Sequence, residues 1–425
     1  MSLDPMCGGE RALLRRATGD VANPLDVKNP DAHATDAIFD IYGRLQAEGS
    51  VHWNGEVGDR GFWAVVGYDE VNEVVRQPEL FSSSYENGGV RIFDVQDVTA
   101  TPARMLLMLD PPEQHDLRKA IAPFFTPEHV AAQEPRIRER AERLVSAVAG
   151  RGHAELIRDI AAPYTIGLTT DLLGLPEEFG PTLAQWIEVM LGDDDRDMQP
   201  SIEVRRKVVA QLDDFAMNLF TRKKKSDSGL INAMLDVTVG GRPLDFNDFS
   251  VNLISLSAAF TDTTKHSIAF AVLALDQFPD QRQMLIDRPD LIPLAVKEII
   301  RWATPLMHVR RTALADTTLG GCDIRKGDKV VVWYSAANRD RCRWQDPQNL
   351  EVMRFAQKGV SPSMAFGAGA HFCLGWRFAE LEMAVMIETL LRTVPDIRPA
   401  GTANRMRSNF IRGVKSLDVS FTPAG

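Results

Sequence analysis

The chain has 425 residues, of which 44% are hydrophobic and 25% charged, and it carries a formal net charge of −10. This composition is that of a soluble globular protein with a large core, and the acidic balance argues against non-specific binding to nucleic acid. No apolar run reaches the roughly 18 residues of a membrane span, and the N-terminus has no apolar signal core. We therefore expect a cytoplasmic monomer with no membrane span and no nucleic-acid partner.

The N-terminus and the cysteines carry little structural information. Residues 1–20 mix charged residues with glycine and show no sustained periodicity, so we expect them to be disordered and residues 21–425 to form a single domain. The spacing of the four cysteines is typical of neither a disulfide framework nor a zinc site. They are Cys7, Cys322, Cys342 and Cys373. A reducing compartment fits this pattern and keeps a thiolate available as a ligand.

The first elements of the domain combine helices with a small sheet. Apolar residues recur at helical spacing over residues 36–46 and 68–76, which predicts two helices. Between them, residues 51–53 and 62–66 are rich in aromatic and β-branched residues and flank a stretch that ends Gly-Asp-Arg-Gly. This pattern predicts a short antiparallel hairpin.

A long connection over residues 82–109 has little periodicity but contains apolar residues such as Ile92 and Phe93. Irregular segments of this length are usually binding loops or linkers, and the apolar content favours the wall of a pocket. Two prolines then set the first turn of a helix that carries Gln114 and Arg118.

Helical periodicity dominates the middle of the chain. It predicts helices over residues 137–149, 153–173, 182–191 and 202–222. Residues 249–278 contain neither proline nor glycine and are apolar on all faces, so we expect a fully buried central helix about 45 Å long. Asp262 and Thr263 lie in its middle. A carboxylate in an apolar helix needs a partner or a task, and the sequence alone leaves both open.

Short strands follow the central helix. Before them, Glu298 and Arg301 are three residues apart on one helical face, a spacing also expected of a surface pair worth at most about 0.5 kcal/mol. Residue content then predicts strands over 309–313, 317–319 and 329–334, and a closing hairpin formed by residues 409–417 and 419–421. The fold class expected from these elements is mainly α with small β-sheets (α+β).

Residues 366–378 are the most distinctive stretch of the chain. Its glycines allow a tight turn and a close approach to a ligand, and Cys373 stands where this loop leads into a helix with an apolar stripe. Unpaired amides and the positive end of the helix dipole favour a thiolate there. A lone cysteine is more often a small buried hydrophobic residue, so this argument alone does not decide its role.

The spacing Phe-Gly-x-Gly-x-His-x-Cys-x-Gly over residues 366–375 resembles the haem-binding loop of the cytochrome P-450 family at every defined position. The proline-led helix, the long central helix, Glu-x-x-Arg at 298–301 and the irregular segment around Arg354 stand in the family's order before it. The resemblance implies a cytochrome P-450 fold of the soluble bacterial kind. It also implies haem b (iron protoporphyrin IX) between the central helix and the helix that follows Cys373.

The resemblance assigns roles to residues on the cysteine side of the haem. Cys373 corresponds to the axial iron ligand, whose anionic sulfur promotes cleavage of the O–O bond. The other implied haem contacts are Gln114, Arg118, Arg311, Phe366, Gly367, His371 and Gly375. Gln114 stands where many relatives have histidine. Glu298, Arg301 and Arg354 correspond to the family's buried ion cluster, which fixes the cysteine loop.

On the opposite face, Asp262 and Thr263 match the family's acid–alcohol pair, which supplies protons to oxygen. Thr263 can also donate a hydrogen bond to the carbonyl of Ala259 and bend the helix. Phe260 stands where relatives usually have glycine. Its ring either narrows the pocket and restricts the substrate, or turns into the packing between helices.

The implied reaction is hydroxylation of an unactivated C–H bond with O2 and two electrons from NAD(P)H, delivered through ferredoxin reductase and an acidic ferredoxin. The expected basic docking patch consists of Arg118, Lys119, Arg339, Arg341, Arg343 and Arg377. The expected pocket wall consists of Ile92, Phe93, Leu256, Ala259, Phe260, Met307, Phe410 and Ile411. This apolar wall suits a terpenoid, sterol or branched lipid, and an inward-facing Arg412 would anchor a carboxylate.

Three other functions share some of these features. A peroxide-driven peroxygenase and a non-catalytic haem sensor or carrier are disfavoured by the Asp262–Thr263 pair, because that branch of peroxygenases usually lacks it and sensing needs no proton delivery. A biosynthetic oxidase acting on a carrier-bound amino acid or polyketide shares every motif, so it stays open.

Overall fold

The computed structural model describes residues 25–56, 61–94, 102–192, 195, 197–198, 201–221 and 229–424. Helices dominate this part of the chain and short strands form small sheets, as the sequence predicts. The predicted disorder of residues 1–20 lies outside the described residues. Among the helices that the structure describes, none combines the length and the apolar composition needed to cross a membrane.

The helices follow the predicted order along the chain. They are α1 (Pro30–Ala34), α2 (Ile38–Glu48), α3 (Tyr68–Arg76), α4 (Glu113–Ile121), α5 (Pro127–Ala149), α6 (Ala162–Leu173), α7 (Gly180–Leu191), α8 (Ile202–Thr221), α9 (Leu230–Asp236), α10 (Phe246–Gln277), α11 (Pro279–Asp287), α12 (Ile292–Ala303), α13 (Tyr334–Ala337) and α14 (Trp376–Thr393). The central helix α10 starts three residues earlier than predicted. The reason is a capping box, in which the side chains of Asp245 and Asp248 each accept a hydrogen bond from the other's backbone N–H.

The strands are short. They are β1 (Val51–Asn54), β2 (Phe62–Val65), β3 (Phe81–Ser82), β4 (His153–Glu155), β5 (Thr238–Val239), β6 (Arg242–Pro243), β7 (His308–Ala313), β8 (Thr317–Leu319), β9 (Cys322–Ile324), β10 (Lys329–Trp333), β11 (Arg398–Pro399), β12 (Asn404–Arg405), β13 (Val414–Ser416) and β14 (Asp418–Ser420). The largest sheet has the order β1-β2-β10-β7-β3. The predicted hairpin is confirmed, because β1 pairs antiparallel with β2 and Val51 lies opposite Val65.

Two of the predicted elements are wrong. Residues 153–155 form strand β4 and not the start of a helix, because they pair with β14 at the other end of the chain. The closing hairpin does not form either. Only Leu417 separates β13 from β14, which leaves no room for a chain reversal, so β13 pairs with β12 and β14 pairs with β11 and β4. Cys322 is disulfide-bonded, which the spacing of the cysteines did not predict.

Helix α10 crosses the main hydrophobic core and packs against α6, α8, α12 and α14. Its second half is buried, with Ile268, Ala269 and Phe270 all at 0% exposure. Burial along the whole helix was predicted, and this is wrong for the first half. Ala259 is exposed in the middle of the helix, because it faces an internal cavity.

Candidate functional site

A cavity of about 250 Å³ lies between the central helix and the cysteine loop. From α10, its wall includes Leu256, Ala259, Phe260 and Thr263. The opposite wall includes Phe366, Gly367, His371, Cys373 and Gly375. The structure therefore brings together the two stretches that the sequence singled out.

The cysteine loop contains positions whose backbone conformation favours glycine. Gly367 and Gly369 have φ values of +67° and +68°, in the left-handed region. A side chain at Gly369 would also collide with the carbonyl oxygen of Val75. The backbone N–H of Cys373 donates to the carbonyl of Phe366 at 2.9 Å. This bond closes the loop and presents the sulfur to the cavity.

The Cys373 thiol is neutral in the protein alone. Burial raises its pKa to about 11, although the backbone N–H of Gly375 and the guanidinium of Arg118 act in the opposite direction. The groups at the helix start lower the pKa of the thiol, as expected, but desolvation raises it by more. A cation bound at the sulfur is needed to keep it anionic.

Two guanidinium groups face the same cavity without a counterion. Arg118 and Arg311 both line it, and Arg311 is 2% exposed. Within the described part of the chain neither makes a salt bridge, and Arg311 donates only to the neighbouring carbonyl of Arg310 at 2.8 Å. Two cations without a salt-bridge partner, beside a single thiol, fit a ligand that combines a metal ion with carboxylates, as haem does.

Two neutral side chains complete this end of the cavity. Gln114 is fully buried, and its amide donates to the carbonyl of Ala370 at 2.8 Å, so it ties α4 to the cysteine loop. Its side-chain oxygen has no hydrogen-bond partner. Burial, reinforced by Arg311 and Arg118, lowers the pKa of His371 to about 3. His371 is therefore neutral, with Nε2 at 2.9 Å from the hydroxyl of Ser83.

Behind the loop, Glu298, Arg301 and Arg354 form a buried ion cluster. Arg301 donates to both carboxylate oxygens of Glu298 at 2.7 Å, and Nε of Arg354 donates to one of them at 2.9 Å. Glu298 and Arg301 are 0% exposed and Arg354 is 3% exposed. The alternative of a surface pair is therefore wrong.

The ion cluster reaches the cysteine loop through Asn338. Arg301 Nη1 donates to the backbone carbonyl of Asn338 at 2.6 Å. The side-chain oxygen of Asn338 then accepts the backbone N–H of Met364 at 2.7 Å, at the start of the loop. These contacts connect the cluster to the position of the loop.

The carboxylate of Asp262 is paired with two side chains of its own helix. Lys265 Nζ lies 2.5 Å from one carboxylate oxygen and His266 Nε2 lies 3.3 Å from the other. Burial alone would raise the pKa of Asp262, but Lys265 and His266 hold it well below its usual range. His266 Nδ1 accepts the backbone N–H of Val414 at 3.1 Å, so Nε2 carries the proton and donates to Asp262.

Thr263 and Phe260 both lie on the side of α10 that faces the cavity. The hydroxyl of Thr263 donates to the carbonyl of Ala259 at 3.0 Å, as expected. The ring of Phe260 stacks on Phe125 with centroids 5.4 Å apart and meets Phe378 edge-on at 6.1 Å. The ring therefore takes part in helix packing while one side still lines the cavity.

Five of the expected pocket residues do not line this cavity. They are Ile92, Phe93, Met307, Phe410 and Ile411. Ile92 and Met307 are buried elsewhere, with Met307 Sδ 3.2 Å from His33 Nδ1. Phe410 packs under the guanidinium of Arg91 at 4.1 Å. Periodicity cannot tell which face of an irregular segment turns inward.

Arg412 does not face the cavity. It is 3% exposed, pairs with Asp36 at 2.9 Å and donates to the carbonyls of Trp302 and Ala303. The expected carboxylate anchor is therefore a structural ion pair, because burial next to an acidic partner satisfies its charge within the fold.

The basic patch is smaller than expected. Arg339 is 3% exposed and donates to the carbonyl of Trp302, while Arg343 pairs with Asp69. Arg118 lines the cavity. The remaining cations are Lys119 and Arg341, which are exposed, and Arg377, which is half-buried against Trp376.

Several cavity residues were missed from the sequence. They are Leu106, Leu107, Ser255, Thr264, Leu306, Val309 and Glu382. A signal existed for Glu382, because it falls on the apolar stripe of α14 between Phe378 and Val385, four and three residues away. An acid on a buried stripe is unusual, so this position could have been found.

Comparisons with known proteins agree with this geometry. A sequence model of the family described as Cytochrome P450 matches residues 286–394. The chain is 36% identical to linalool 8-monooxygenase of Pseudomonas putida over 405 residues, covering 94% of this chain and 99% of the relative. It is 34% identical to a methyl-branched lipid omega-hydroxylase of Mycobacterium bovis, covering 87% and 86%. Its structure is similar to a Mycobacterium marinum cytochrome P450 in complex with pseudoionone, with a TM-score of 0.86, 28% identity and coverage of 95% and 100%.

Proposed function

The chain belongs to the cytochrome P450 family and is a haem-dependent monooxygenase, and from this we propose that Cys373 is the axial ligand of its haem iron and that its substrate is a free hydrophobic terpenoid, sterol or branched lipid. The observation that carries the proposal is the cavity shared by Cys373 and the central helix. Haem bound through a thiolate supplies the activation of dioxygen needed to insert one oxygen atom into a C–H bond.

The residues around Cys373 have separate tasks in this proposal. Without a bound metal ion, burial keeps the pKa of the Cys373 thiol above its ordinary value. Binding of the iron is therefore coupled to release of the thiol proton. Arg118 and Arg311 bind the haem propionates, because both are cations without counterions at the cavity wall. The cluster of Glu298, Arg301 and Arg354 holds the loop in place and takes no part in the reaction.

On the opposite wall, Thr263 faces the cavity and its hydroxyl can bind the oxygen substrate. Asp262 lies one residue earlier, is ionised and is held by Lys265 and His266. We assign this pair to oxygen binding and proton supply.

The substrate class rests on the cavity wall and on the relatives. Leu106, Leu256, Leu306 and Val309 make the wall largely apolar, and apolar walls with few polar groups bind hydrophobic small molecules. Similar proteins are named for linalool, methyl-branched lipids and steroids. Hydroxylation of a C–H bond in a free hydrophobic molecule of this class fits both the apolar wall and the relatives.

A spectral titration tests the substrate class. Linalool, a methyl-branched fatty acid and a steroid are added separately to the purified ferric protein, and at least one should shift the haem absorbance at micromolar concentration. Turnover of that compound with a surrogate ferredoxin and reductase should give a hydroxylated product. A shift produced only by an acyl chain loaded on a carrier protein would overturn the proposal in favour of the carrier-bound alternative.

Electrons are proposed to come from NAD(P)H through a ferredoxin reductase and an acidic ferredoxin. Lys119, Arg341 and Arg343 are the exposed cations of the expected docking patch, with Arg343 paired to Asp69, and Arg377 is half-buried. Attraction between exposed charges is screened by salt, so the rate of electron transfer should fall as ionic strength rises. A rate that does not change with salt would contradict this docking mode.

A further inference from the structure

We infer, on the basis of the proposed function, that Ser255 binds the polar group of the substrate, and that this group is an uncharged oxygen, a hydroxyl or a ketone, remote from the carbon that is attacked. Ser255 lies on α10, eight positions before Thr263, and it lines the cavity. This assignment narrows the proposed class to hydrophobic alcohols and ketones.

The polar side chains of α10 on the cavity wall differ in whether their hydrogen bonds are already made. Among the described residues they are Asn252, Ser255, Thr263, Thr264 and Ser267. The amide of Asn252 donates to the carbonyls of Arg104 and Asp248, both at 2.8 Å. Its side-chain oxygen accepts the backbone N–H of Leu106 at 2.9 Å. Asn252 therefore holds this segment against α10 and is not available to a ligand.

The hydroxyl groups of this set are also engaged, with one exception. Thr263 and Ser267 each donate to the carbonyl four residues earlier, at 3.0 and 2.8 Å. The side chain of Thr264 is hydrogen-bonded to the carboxyl of Glu382. Within the described part of the chain, the Ser255 side chain has no hydrogen-bond partner. Its hydroxyl is therefore free both to donate to a ligand and to accept from one.

The wall that Ser255 shares is largely apolar. Leu256 follows it on α10, and Leu106, Leu306 and Val309 line the same cavity. An unmade hydrogen bond costs free energy in apolar surroundings. A substrate that brings an oxygen atom to Ser255 gains this bond, whereas a hydrocarbon of the same shape does not.

The charges of the cavity favour an uncharged group at Ser255. Arg118 and Arg311 are the two cations that line the cavity in the part of the chain that the structure describes. Arg118 acts on the Cys373 thiol and both cations act on His371, so they lie at the cysteine loop. The proposed function assigns both to the haem propionates. A carboxylate at Ser255 would be desolvated without a cation beside it.

The spacing along α10 separates the bound oxygen of the substrate from the carbon that reacts. Eight positions on a helix correspond to a rise of about 12 Å. The oxygen that reacts is proposed to bind beside Thr263. A substrate held at Ser255 therefore presents a C–H bond that is remote from its own hydroxyl or ketone.

Spectral titration of the purified ferric protein with compounds of one carbon skeleton tests this role. The compounds are 3,7-dimethyloctan-1-ol, 3,7-dimethyloctanoic acid and 3,7-dimethyloctane, and cholestanol and cholestane form a second pair for larger substrates. In the pair that binds, the alcohol should bind about tenfold more tightly than the hydrocarbon, as expected of one hydrogen bond. The acid should bind more weakly than its alcohol. In Ser255→Ala the alcohol should lose its advantage while the affinity for the hydrocarbon stays the same, and Ser255→Thr should retain the advantage because it keeps the hydroxyl.

Ser257→Ala is the matched control. Ser257 lies on the same helix, donates to the carbonyl of Leu253 at 2.7 Å and does not line this cavity, so the ratio of the two affinities should not change. Equal affinities for alcohol and hydrocarbon in the wild type, or an advantage that persists in Ser255→Ala, overturn the inference. Failure of every compound to bind would instead contradict the proposed substrate class, and the role of Ser255 with it.

Product analysis with a surrogate ferredoxin and reductase gives a second readout. The wild-type protein should hydroxylate the bound alcohol at carbons far from its oxygen atom. In Ser255→Ala the products should spread over more carbons, which a purely structural role of this side chain would not cause. Oxidation in the wild type mainly at the carbon that bears the hydroxyl overturns the inference.

Discussion

The substitution Glu298→Gln removes the shared anion of the buried ion cluster while keeping the size of the side chain. In the wild-type protein its carboxylate accepts from Arg301 twice and from Arg354 once, and it also accepts the backbone N–H of Glu351 at 3.1 Å. A glutamine cannot neutralise two guanidinium groups. The variant therefore leaves buried Arg301 without a carboxylate partner, and Arg354 keeps only its pair with Glu351 at 3.6 Å.

The size of the effect follows from this burial. Breaking a buried ion pair by removing one partner costs about 3–5 kcal/mol, because the remaining charge stays desolvated. We expect Glu298→Gln to lower the free energy of unfolding by that amount. Haem affinity should fall as well, since Arg301 holds Asn338 and Asn338 holds the start of the cysteine loop.

Urea unfolding of the haem-loaded protein measures both consequences. Circular dichroism follows the helices and haem absorbance follows the cofactor, and the two midpoints are compared because a bound cofactor makes simple two-state behaviour unsafe to assume. Glu142→Gln is the matched control. It breaks the pair with Arg392, whose side chains are 44% and 53% exposed, so its effect should stay within about 1 kcal/mol.

A loss below about 1 kcal/mol in Glu298→Gln, with unchanged haem affinity, would refute this reasoning. Such a result would mean that the cluster tolerates an unpaired cation and does not support the loop.

Two further predictions concern buried side chains. Burial lowers the pKa of His308 to about 3, below its ordinary value of 6.5. Above pH 6.5 the imidazole is neutral in both the folded and the unfolded protein. As the pH falls from 6.5 towards 3 only the unfolded chain takes up the proton, so the free energy of unfolding decreases by up to about 1.4 kcal/mol per pH unit. His308→Asn should flatten the stability profile measured by urea unfolding in this range, and an unchanged slope would contradict the buried neutral state. Phe260→Gly should destabilise the protein by about 3 kcal/mol through loss of the contacts with Phe125 and Phe378, and the larger cavity should broaden the set of hydroxylated products. Unchanged stability and unchanged products would show that the ring has neither role.

The sequence predicted the parts of the molecule that depend on local patterns. The long central helix, the β1–β2 hairpin and the cysteine loop follow from periodicity, turn residues and glycine positions, and the structure has them at or near the expected bounds. The resemblance also placed Glu298, Arg301 and Arg354 together, which spacing alone could not do because Arg354 lies 53 positions after Arg301.

Features that depend on tertiary packing were beyond the sequence. The local pattern predicted a helix for residues 153–155. They form a strand because they pair with β14, which is far away in the sequence and is not part of any local pattern. The separate segments around Phe93 and Phe410 have no regular period, so the sequence could not show which of their side chains face the cavity. Arg412 and Arg339 looked available for ligands or partners, yet both are buried in contacts with distant segments.

Ionisation was the least predictable property of the site. Local reasoning at the helix start favoured a Cys373 thiolate, whereas desolvation by the complete fold favours the thiol. The partners of Asp262 were visible in the sequence, since Lys265 and His266 follow at helical spacing. Their effect depends on the burial of all three residues, which only the packed structure shows.

The absorbance spectrum of the reduced protein bound to carbon monoxide tests the proposed bond between Cys373 and the haem iron most directly. The account predicts the long-wavelength Soret maximum of thiolate coordination in the wild-type protein and its loss in Cys373→Ala. A shorter-wavelength maximum typical of imidazole coordination in the wild type, or an unchanged spectrum in Cys373→Ala, would contradict it.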